Sequence, residues 1–231
     1  MINSRVIIAC DFSSWDELIS FLNKFNGEKL FLKIGYQLFF TIGIEKIKQL
    51  QSMGHNIFLD LKLHDIPNTV AHGVESLSKL GVDMLTIHAS GGMKMMSAAT
   101  TYNNPKTKLL AVTHLTSSSQ EMLNNELFIN EDINVAIKKL AINAYKSKIN
   151  GVICSGLESK MIKENTSVDF LVVSPGIRYP DSNCDDQYRI CTPKMAKENG
   201  CDYIVVGRLI TKSTNPLEMY KKVVNDFMGE N

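Results

Sequence analysis

Eight short apolar runs recur along this chain, and they restrict the folds open to it more than any other feature. They are Val6–Asp11, Leu30–Gly35, Ile57–Lys62, Met84–His88, Leu109–Leu115, Val152–Ser155, Phe170–Ser174 and Tyr203–Val206. Most of them are continuously apolar and rich in β-branched residues, and do not alternate between apolar and polar positions. This pattern is typical of parallel strands that are buried on both faces.

Amphipathic segments separate these runs. The clearest predicted helices are Ser14–Phe25, Gln37–Met53, Thr69–Leu80, Asp132–Lys148 and Pro216–Met228. Thr192-Pro193 is typical of an N-cap followed by proline at the first helical position. The polar stretch Thr116–Asn130 gives the weakest prediction, a loop with some local helix. Regular alternation of strands and helices indicates a parallel sheet.

Eight strand–helix units predict an α/β fold, a single (β/α)8 TIM barrel, formed by one domain over residues 1–231. Dividing the 231 residues among eight units leaves about 29 residues for each, enough for a strand, a helix and two turns. The alternative is an open, doubly wound sheet, which would need a glycine-rich turn after its first strand. Asp11-Phe12-Ser13-Ser14 stands at that place, which favours the barrel.

The composition argues against several classes of partner. A formal net charge of +1 provides no charge excess for binding nucleic acid or an anionic membrane. The first apolar run, Val6–Cys10, is too short for a secretory signal or a membrane span, so we expect a cytoplasmic protein. The five cysteines form no CxxC pair and no zinc-like spacing with histidine. We therefore expect reduced thiols and no metal.

Charged residues cluster at the end of the third apolar run. Asp60 and Lys62 are two residues apart, so a strand period of two places both side chains on one face. Asp65 follows where the strand should give way to a loop, and Lys33 stands near the end of the second run. Buried charges cost free energy unless they pair with each other or with a ligand. These four residues predict either a salt-bridge network at the barrel mouth or a preorganised charge array in an active site.

Other polar residues also follow predicted strands, and in barrels of this kind function collects at those carboxyl ends. Gly207-Arg208 and the Pro175–Arg178 turn suit a phosphate site, because glycine admits backbone N–H groups and arginine provides a bidentate fork. The alternative is a surface arginine on a tight turn. We interpret the long polar segment Arg178–Ile190 as a lid, with a plain connecting loop as the alternative. His64, His88 and His114 receive no role from the sequence.

Taken together, these motifs resemble the orotidine 5′-phosphate decarboxylase family, of the short bacterial kind, along essentially the whole chain. The resemblance rests on Asp60-Leu61-Lys62-Leu63-His64-Asp65-Ile66-Pro67-Asn68-Thr69, Leu115-Thr116-Ser117, Pro175-Gly176-Ile177-Arg178, Gln187 and Val206-Gly207-Arg208. The Asp-x-Lys-x-x-Asp core is shared with sugar-phosphate relatives such as 3-keto-L-gulonate 6-phosphate decarboxylase and hexulose-phosphate synthase. The continuation Ile66-Pro67-Asn68-Thr69 favours the nucleotide decarboxylase.

The resemblance implies decarboxylation of orotidine 5′-monophosphate (OMP) to UMP, the last step of de novo pyrimidine nucleotide biosynthesis, without a metal or an organic cofactor. It also implies a homodimer in which Asp65, Ile66 and Thr69 reach the neighbouring active site. Two alternatives stay open. One is a metal-dependent decarboxylase or aldolase that acts on a sugar phosphate. The other is a barrel that binds phosphate ligands without turnover.

The resemblance further implies a role for individual residues. Asp11 and Lys33 would hold the ribose hydroxyls, and Lys33 would also belong to the charge network. Asp60 would lie beside the substrate carboxylate, while Lys62 would stabilise and protonate the C6 carbanion. The remaining implied contacts are Thr116 with the pyrimidine, Gln187 with lid, base and phosphate, and Pro175, Arg178, Gly207 and Arg208 at the phosphate end. His114 departs from the family pattern, in which glutamine is expected.

Overall fold

A computed structural model describes residues 4–180 and 191–229 of the chain. Eight parallel strands pair in sequence order, and the last also pairs with the first, so the sheet closes into a barrel. The strands are β1 Val6–Ala9, β2 Phe31–Gly35, β3 Asn56–Leu63, β4 Met84–His88, β5 Lys108–Val112, β6 Gly151–Ile153, β7 Leu171–Ser174 and β8 Tyr203–Val206. The predicted (β/α)8 barrel is confirmed.

Helices connect successive strands on the outside of the barrel. They are α1 Trp15–Leu22, α2 Tyr36–Ser52, α3 Pro67–Ser78, α4 Gly92–Thr101, α5 Gln120–Asn125, α6 Ile133–Lys146, α7 Ser159–Asn165, α8 Pro193–Glu198, α9 Arg208–Thr211 and α10 Pro216–Met228, with 3₁₀ turns at Asn23–Phe25 and Ala89–Gly91. The predicted N-cap at Thr192 is confirmed, since its side chain accepts a hydrogen bond from the Met195 N–H. Within the described residues, no helix has both the length and the apolar character that a bilayer span requires.

Several predicted boundaries differ from the structure. β1 and β5 end before Asp11 and Leu115, because the apolar runs continue into the loops beyond the regular strands. Pairing continues for one residue past each strand, since the Cys10 N–H donates to Lys33 and the Thr113 N–H donates to Ile153. Helices α4, α7 and α9 were not predicted. α4 is rich in small residues and α7 and α9 are short, so none produces a strong helical period.

The core has two layers, one on each side of the sheet. The barrel interior is filled by one residue set, which comprises Ile7, Ala9, Phe31, Phe58, Met84, Leu110, Val112, Ile153, Val173 and Val205. The larger outer layer packs between the sheet and the helices. Because side chains alternate along a strand, the residues two positions after Phe31, Phe58 and Met84 also face the interior. Those positions hold three polar residues, Lys33 on β2, Asp60 on β3 and Thr86 on β4.

Candidate active site

A cavity of about 880 Å³ opens among the carboxyl ends of the strands, which we call the C-terminal rim. Its apolar floor belongs to the interior layer and includes Ala9, Phe58, Val112, Ile153 and Val205. Its polar wall contains most of the predicted site residues, namely Asp11, Lys33, Asp60, Lys62, Thr116, Pro175, Arg178, Gly207 and Arg208. The barrel therefore brings together residues that are far apart in the sequence.

Four charged residues, which we call the charge array, alternate in sign along one side of this cavity: Asp11 follows β1, Lys33 lies on β2, and Asp60 and Lys62 lie on β3. The Nζ atom of Lys33 lies 3.1 Å from Oδ1 of Asp11 and 3.5 Å from Oδ2 of Asp60. The Nζ atom of Lys62 lies 2.9 Å from Oδ1 of Asp60. Asp60 is thus held between two ammonium groups. Both oxygens of its carboxylate are directed by these contacts, so the array has one defined geometry.

The charges of the array support one another. Burial by itself would raise the pKa of the Asp60 carboxyl, but Lys33 and Lys62 outweigh it and hold that pKa below its ordinary value. Burial likewise opposes the charge on Lys33, yet the two nearby carboxylates raise the pKa of its ammonium group above the ordinary value. Both groups are therefore charged at neutral pH. Such a site presents fixed charges to a ligand without a cost of reorganisation.

Lys62 reaches the array through an irregularity in β3, and this corrects the sequence argument. Leu59 pairs with Leu85 and Leu63 pairs with Ile87, so β3 advances four positions while β4 advances two. Two extra residues therefore bulge from β3, and Lys62 has a left-handed backbone with φ of +47°. A regular period of two does not describe this segment. The two side chains share the cavity because the bulge redirects the lysine.

Thr86 on β4 belongs to the same group of contacts and was not predicted. It is fully buried, and its hydroxyl donates to Oδ1 of Asp60 at 3.0 Å. The same hydroxyl accepts the backbone N–H of Lys62 at 2.9 Å. The available signal was its position two residues after Met84, on the interior face of β4. In an apolar run, however, a threonine is readily taken for a packing residue.

Asp65, Ile66 and Thr69 lie at the same rim but do not line the cavity of their own chain. All three are exposed, and the side chain of Asp65 accepts the N–H of Ile66. Ile66, which immediately precedes α3, is 66% exposed. The structure therefore separates Asp65 from Lys33, Asp60 and Lys62, although the sequence motif joins them.

The predicted phosphate residues form another part of the cavity wall. Pro175, Gly176 and Arg178 follow β7, whereas Gly207 and Arg208 follow β8. Gly176 has φ of +78°, a conformation that favours glycine, so this turn depends on the residue type. β7 is four strands from β3 in the eight-strand barrel, so the turn after β7 lies across the cavity from Asp60 and Lys62.

The remaining predicted site residues have different outcomes. Thr116 is buried and lines the cavity, between the exposed Leu115 and the exposed Ser117. Thr211 and Lys212 also line it near Arg208 and were not predicted. Gln187 and residues 181–190 of the predicted lid lie outside the described residues, so the lid stays a prediction.

Three histidines also lie at the C-terminal rim. The ring of His88 stacks on His64 with a centroid separation of 5.3 Å, and its Nδ1 lies 2.6 Å from the Ser90 hydroxyl. Burial lowers the pKa of His88 to about 4. The neighbouring His64, His114 and Lys62 lower this pKa in the same direction. The His88 ring is therefore neutral at physiological pH and serves as a packed, uncharged wall beside the array.

This pKa predicts a pH-dependent stability. Between pH 6.5 and 4 the unfolded chain binds a proton at His88 and the folded chain does not, so the free energy of unfolding falls as the pH falls. We expect His88→Gln to make the fall in Tm from pH 7 to pH 4.5 smaller by about 2–4 °C, or roughly 1 kcal/mol after allowance for solvent screening. Thermal unfolding followed by circular dichroism measures it.

His72→Gln is the comparison variant at a histidine whose side chain is 56% exposed on α3 and whose Nδ1 lies 3.2 Å from Glu75. The burial that lowers the pKa of His88 is absent at this exposed position, so His72→Gln should not make the fall in Tm smaller. Equal pH dependence in the parent chain and His88→Gln would contradict the lowered pKa of His88.

The donor groups at the cavity do not fit a metal site. Among the residues that the structure describes, no three carboxylate, imidazole or thiol groups gather closely enough to hold a metal ion. The carboxylate oxygens of Asp60 are already directed toward ammonium groups, and its Oδ1 also accepts the Thr86 hydroxyl. A metal ion at Asp60 would have to displace these contacts, so the array is built for charge–charge interactions within the protein and with a ligand.

Comparison with known proteins connects this geometry to a family. Residues 4–223 match the family described as Orotidine 5′-phosphate decarboxylase / HUMPS. A relative from Staphylococcus saprophyticus, named orotidine 5′-phosphate decarboxylase, is 48% identical over 226 residues, which cover 96% of this chain and 98% of the relative. A protein of the same name from Staphylococcus aureus strain Mu3 is 46% identical over 225 residues, covering 96% and 97%.

Solved structures give a consistent picture. The crystal structure of orotidine 5′-phosphate decarboxylase from Lactobacillus acidophilus is similar with a TM-score of 0.86 and 41% identity, covering 97% of this chain and 99% of that chain. An uncharacterized conserved protein from Geobacillus kaustophilus is similar with a TM-score of 0.84 and 36% identity, covering 96% and 99%. The similarity therefore extends over the whole barrel and is not confined to the cavity.

Proposed function

The chain belongs to the Orotidine 5′-phosphate decarboxylase / HUMPS family, and on that premise we propose that it converts OMP to UMP with release of CO2, in de novo pyrimidine nucleotide biosynthesis. The observation that carries this function is the charge array, in which Asp60 is held between Lys33 and Lys62 at the mouth of a large cavity. The curated relatives of the same name support it over nearly their whole length.

The chemistry of the reaction explains why such an array is useful. Loss of CO2 from C6 leaves an electron pair on an sp² carbon, where delocalisation is poor, so the protein must stabilise the charge. A fixed ammonium group in a cavity shielded from water does this far better than one in bulk water. We assign that role to Lys62. Because Asp60 holds the Lys62 ammonium group in place, that group also provides the proton that C6 receives.

Asp60 has a second proposed effect. Its pKa is held low, so it is ionised at neutral pH, and it would lie beside the carboxylate of the substrate. Two like charges in contact are unfavourable, and this repulsion disappears when CO2 departs. Binding energy from the distant phosphate end can offset the repulsion in the bound substrate. In this proposal Arg178, Gly207 and Arg208 bind the phosphate, and Asp11 and Lys33 hold the ribose.

A homodimer accounts for the position of the second aspartate. Asp65, Ile66 and Thr69 are exposed at the rim and do not line the cavity of their own chain. Exposed apolar side chains follow β2, β3 and β4 in turn, at Tyr36 and Phe40, at Ile66 and at Met93. Consecutive strands are neighbours in the barrel, so these side chains form one face. We propose that a second copy of the chain covers this face and receives Asp65, Ile66 and Thr69 at its own cavity.

We propose that residues 1–231 act as one decarboxylase domain in the cytoplasm, without a metal or an organic cofactor. The alternative activity, a metal-dependent reaction on a sugar phosphate, is less well supported. Its metal would need donor groups, and the Asp60 carboxylate is already committed to Lys33, Lys62 and Thr86.

Turnover in the presence of a chelator tests the proposed function. Purified protein is mixed with OMP and excess EDTA, and the loss of OMP absorbance is followed. We expect rapid loss at the same rate with and without EDTA. In a parallel reaction, 3-keto-L-gulonate 6-phosphate or a hexulose 6-phosphate is supplied with added magnesium, and no turnover is expected. Turnover of the sugar phosphate alone, abolished by EDTA, would overturn the proposal.

Arg208 at the phosphate end provides a prediction with an internal control. Arg208→Ala should lower kcat/KM for OMP by about 10- to 100-fold, because a charge-assisted bond to the phosphate is lost. The same substitution should change kcat/KM for orotidine, which has no phosphate, by less than about threefold. Steady-state kinetics with both substrates measures the two effects.

Arg5→Ala is the matched variant, since Arg5 is an exposed arginine at the opposite end of the barrel, before β1. It should leave both substrates unaffected. Equal losses for OMP and orotidine in Arg208→Ala would place Arg208 away from the phosphate.

A further inference from the structure

The hydroxyl of Thr86 is bonded to both residues on which the proposed reaction depends. It accepts the backbone N–H of Lys62 at 2.9 Å and donates to Oδ1 of Asp60 at 3.0 Å. The Nζ atom of Lys62 donates to the same Oδ1 at 2.9 Å. Together these three bonds close a ring through Thr86, Lys62 and Asp60. Because Thr86 is fully buried, water does not compete for its hydroxyl.

The ring lies across the bulge in β3. Between the pairs Leu59–Leu85 and Leu63–Ile87, β3 has two more residues than β4, so regular strand pairing is interrupted. Lys62 lies in this interruption with φ of +47°, a conformation that L side chains rarely adopt. Such a backbone persists where the surroundings hold it. The bond from the Lys62 N–H to Thr86 is a contact of this kind, made at the strained residue itself.

The direction of the bonds is fixed by the donor on one side. A backbone N–H can only donate, so the oxygen of the Thr86 hydroxyl accepts from Lys62, and the hydroxyl proton points to the carboxylate of Asp60. Hydrogen bonds to an ionised acceptor are stronger than neutral ones. Burial raises the pKa of Asp60, the two neighbouring ammonium groups lower it, and the Thr86 hydroxyl acts in the lowering direction. Thr86 thus favours the ionised form of Asp60 and limits its rotation.

We infer that Thr86 is a positioning residue for the decarboxylation: its hydroxyl clamps the bulge of β3 so that the Lys62 ammonium and the Asp60 carboxylate keep one arrangement. The effect on turnover rests on the proposed function, whereas the effect on Asp60 does not require a substrate. The charged and titratable groups around this clamp are Lys33, Lys62, Asp11, His64, His88 and His114.

Thr86→Val tests the inference, because valine keeps the branched shape and removes the hydroxyl. We expect kcat for OMP to fall by about 10- to 100-fold, with KM changed by less than about threefold. Thr86→Ser keeps the hydroxyl and should retain kcat within about threefold. Thr107→Val is the matched control, since Thr107 is also buried and donates to Val82 at 2.7 Å, but it precedes β5 at the other end of the barrel. It should keep the parent kcat.

A second readout needs no substrate. The Asp60 carboxyl carbon is followed by ¹³C NMR during a pH titration of the parent chain and the three variants. The titration midpoint of Asp60 should rise in Thr86→Val and stay near the parent value in Thr86→Ser and Thr107→Val. His88 and His114 are present in all four proteins. A difference in the Asp60 midpoint between these proteins therefore reports the effect of the Thr86 hydroxyl and not the titration of the histidine rings.

These readouts distinguish the inference from the proposed function. A parent chain that fails to turn over OMP would overturn the function, while the NMR midpoints would still decide whether Thr86 controls Asp60. A Thr86→Val protein that is less stable but has the parent kcat and the parent midpoint would overturn the inference. If Thr86→Val does not fold, Thr86→Ala is measured against Thr86→Ser by the same two readouts, with the same expected differences.

Discussion

Lys62→Ala is expected to lower kcat for OMP by about 10⁵-fold, because it removes two contributions at once. Stabilisation of developing charge by a preorganised donor is typically worth about 10²–10³-fold, and positioned proton transfer about 10²–10⁴-fold. In this chain both are assigned to one ammonium group, which lies 2.9 Å from Asp60. Loss of absorbance of OMP under saturating conditions measures kcat, with enough protein to detect slow turnover.

The binding of UMP separates loss of chemistry from loss of structure. UMP lacks the carboxylate and is held in this account by the ribose and phosphate groups, so its Kd should change by less than about tenfold in Lys62→Ala. Lys79→Ala is the matched control, since Lys79 follows α3 and pairs at 2.7 Å with Glu75 on an exposed surface. It should keep the parent kcat. A Lys62→Ala protein that binds UMP and retains more than about a tenth of the parent kcat would contradict the assigned role.

Asp65→Ala is expected to be almost inactive alone, and to regain activity when mixed with Lys62→Ala. In the proposed dimer, each cavity uses Lys62 of its own chain and Asp65 of the other chain. A hybrid of the two variants therefore contains one cavity with neither substitution and one with both. Random exchange of equal amounts makes half of the dimers hybrids, so the mixture should reach about one quarter of the parent activity. Assays after subunit exchange measure it.

The control for this experiment is a mixture of Lys62→Ala with Asp60→Ala. Asp60 and Lys62 of one chain are in direct contact, so no hybrid of these variants contains an intact cavity. No activity should return. If the Lys62→Ala and Asp65→Ala mixture also stays at the sum of its separate components, Asp65 does not act across the dimer.

The sequence was sufficient to predict the barrel and much of the cavity. Continuous apolar runs indicated strands buried on both faces, and the closed eight-strand sheet has that property. Because parallel strands all present their carboxyl ends at one rim, Lys33, Asp60 and Arg208 could be grouped although they are distant in the chain. That grouping depends on topology and not on the details of packing, which is why it was accessible from the sequence.

The features of the site that could not be predicted from the sequence depend on local backbone geometry. The bulge in β3 depends on how two strands pair, and the residue types in this segment do not predict that Lys62 has a left-handed backbone. Thr86 was missed for the same reason, since its hydroxyl gains its role only because the bulge brings the Lys62 N–H to it. Asp65 follows Lys62 by only three residues in the motif, yet it lies beyond the end of β3 and is exposed.

The central claim is that this chain decarboxylates OMP and that Lys62 supplies the proton. It is tested most directly by running the reaction in D2O with EDTA and examining the product by NMR. Ammonium protons exchange with solvent, so the account predicts UMP that carries deuterium at C6, formed by the parent chain and not by Lys62→Ala. No UMP from the parent chain, or UMP with ordinary hydrogen at C6, would contradict it.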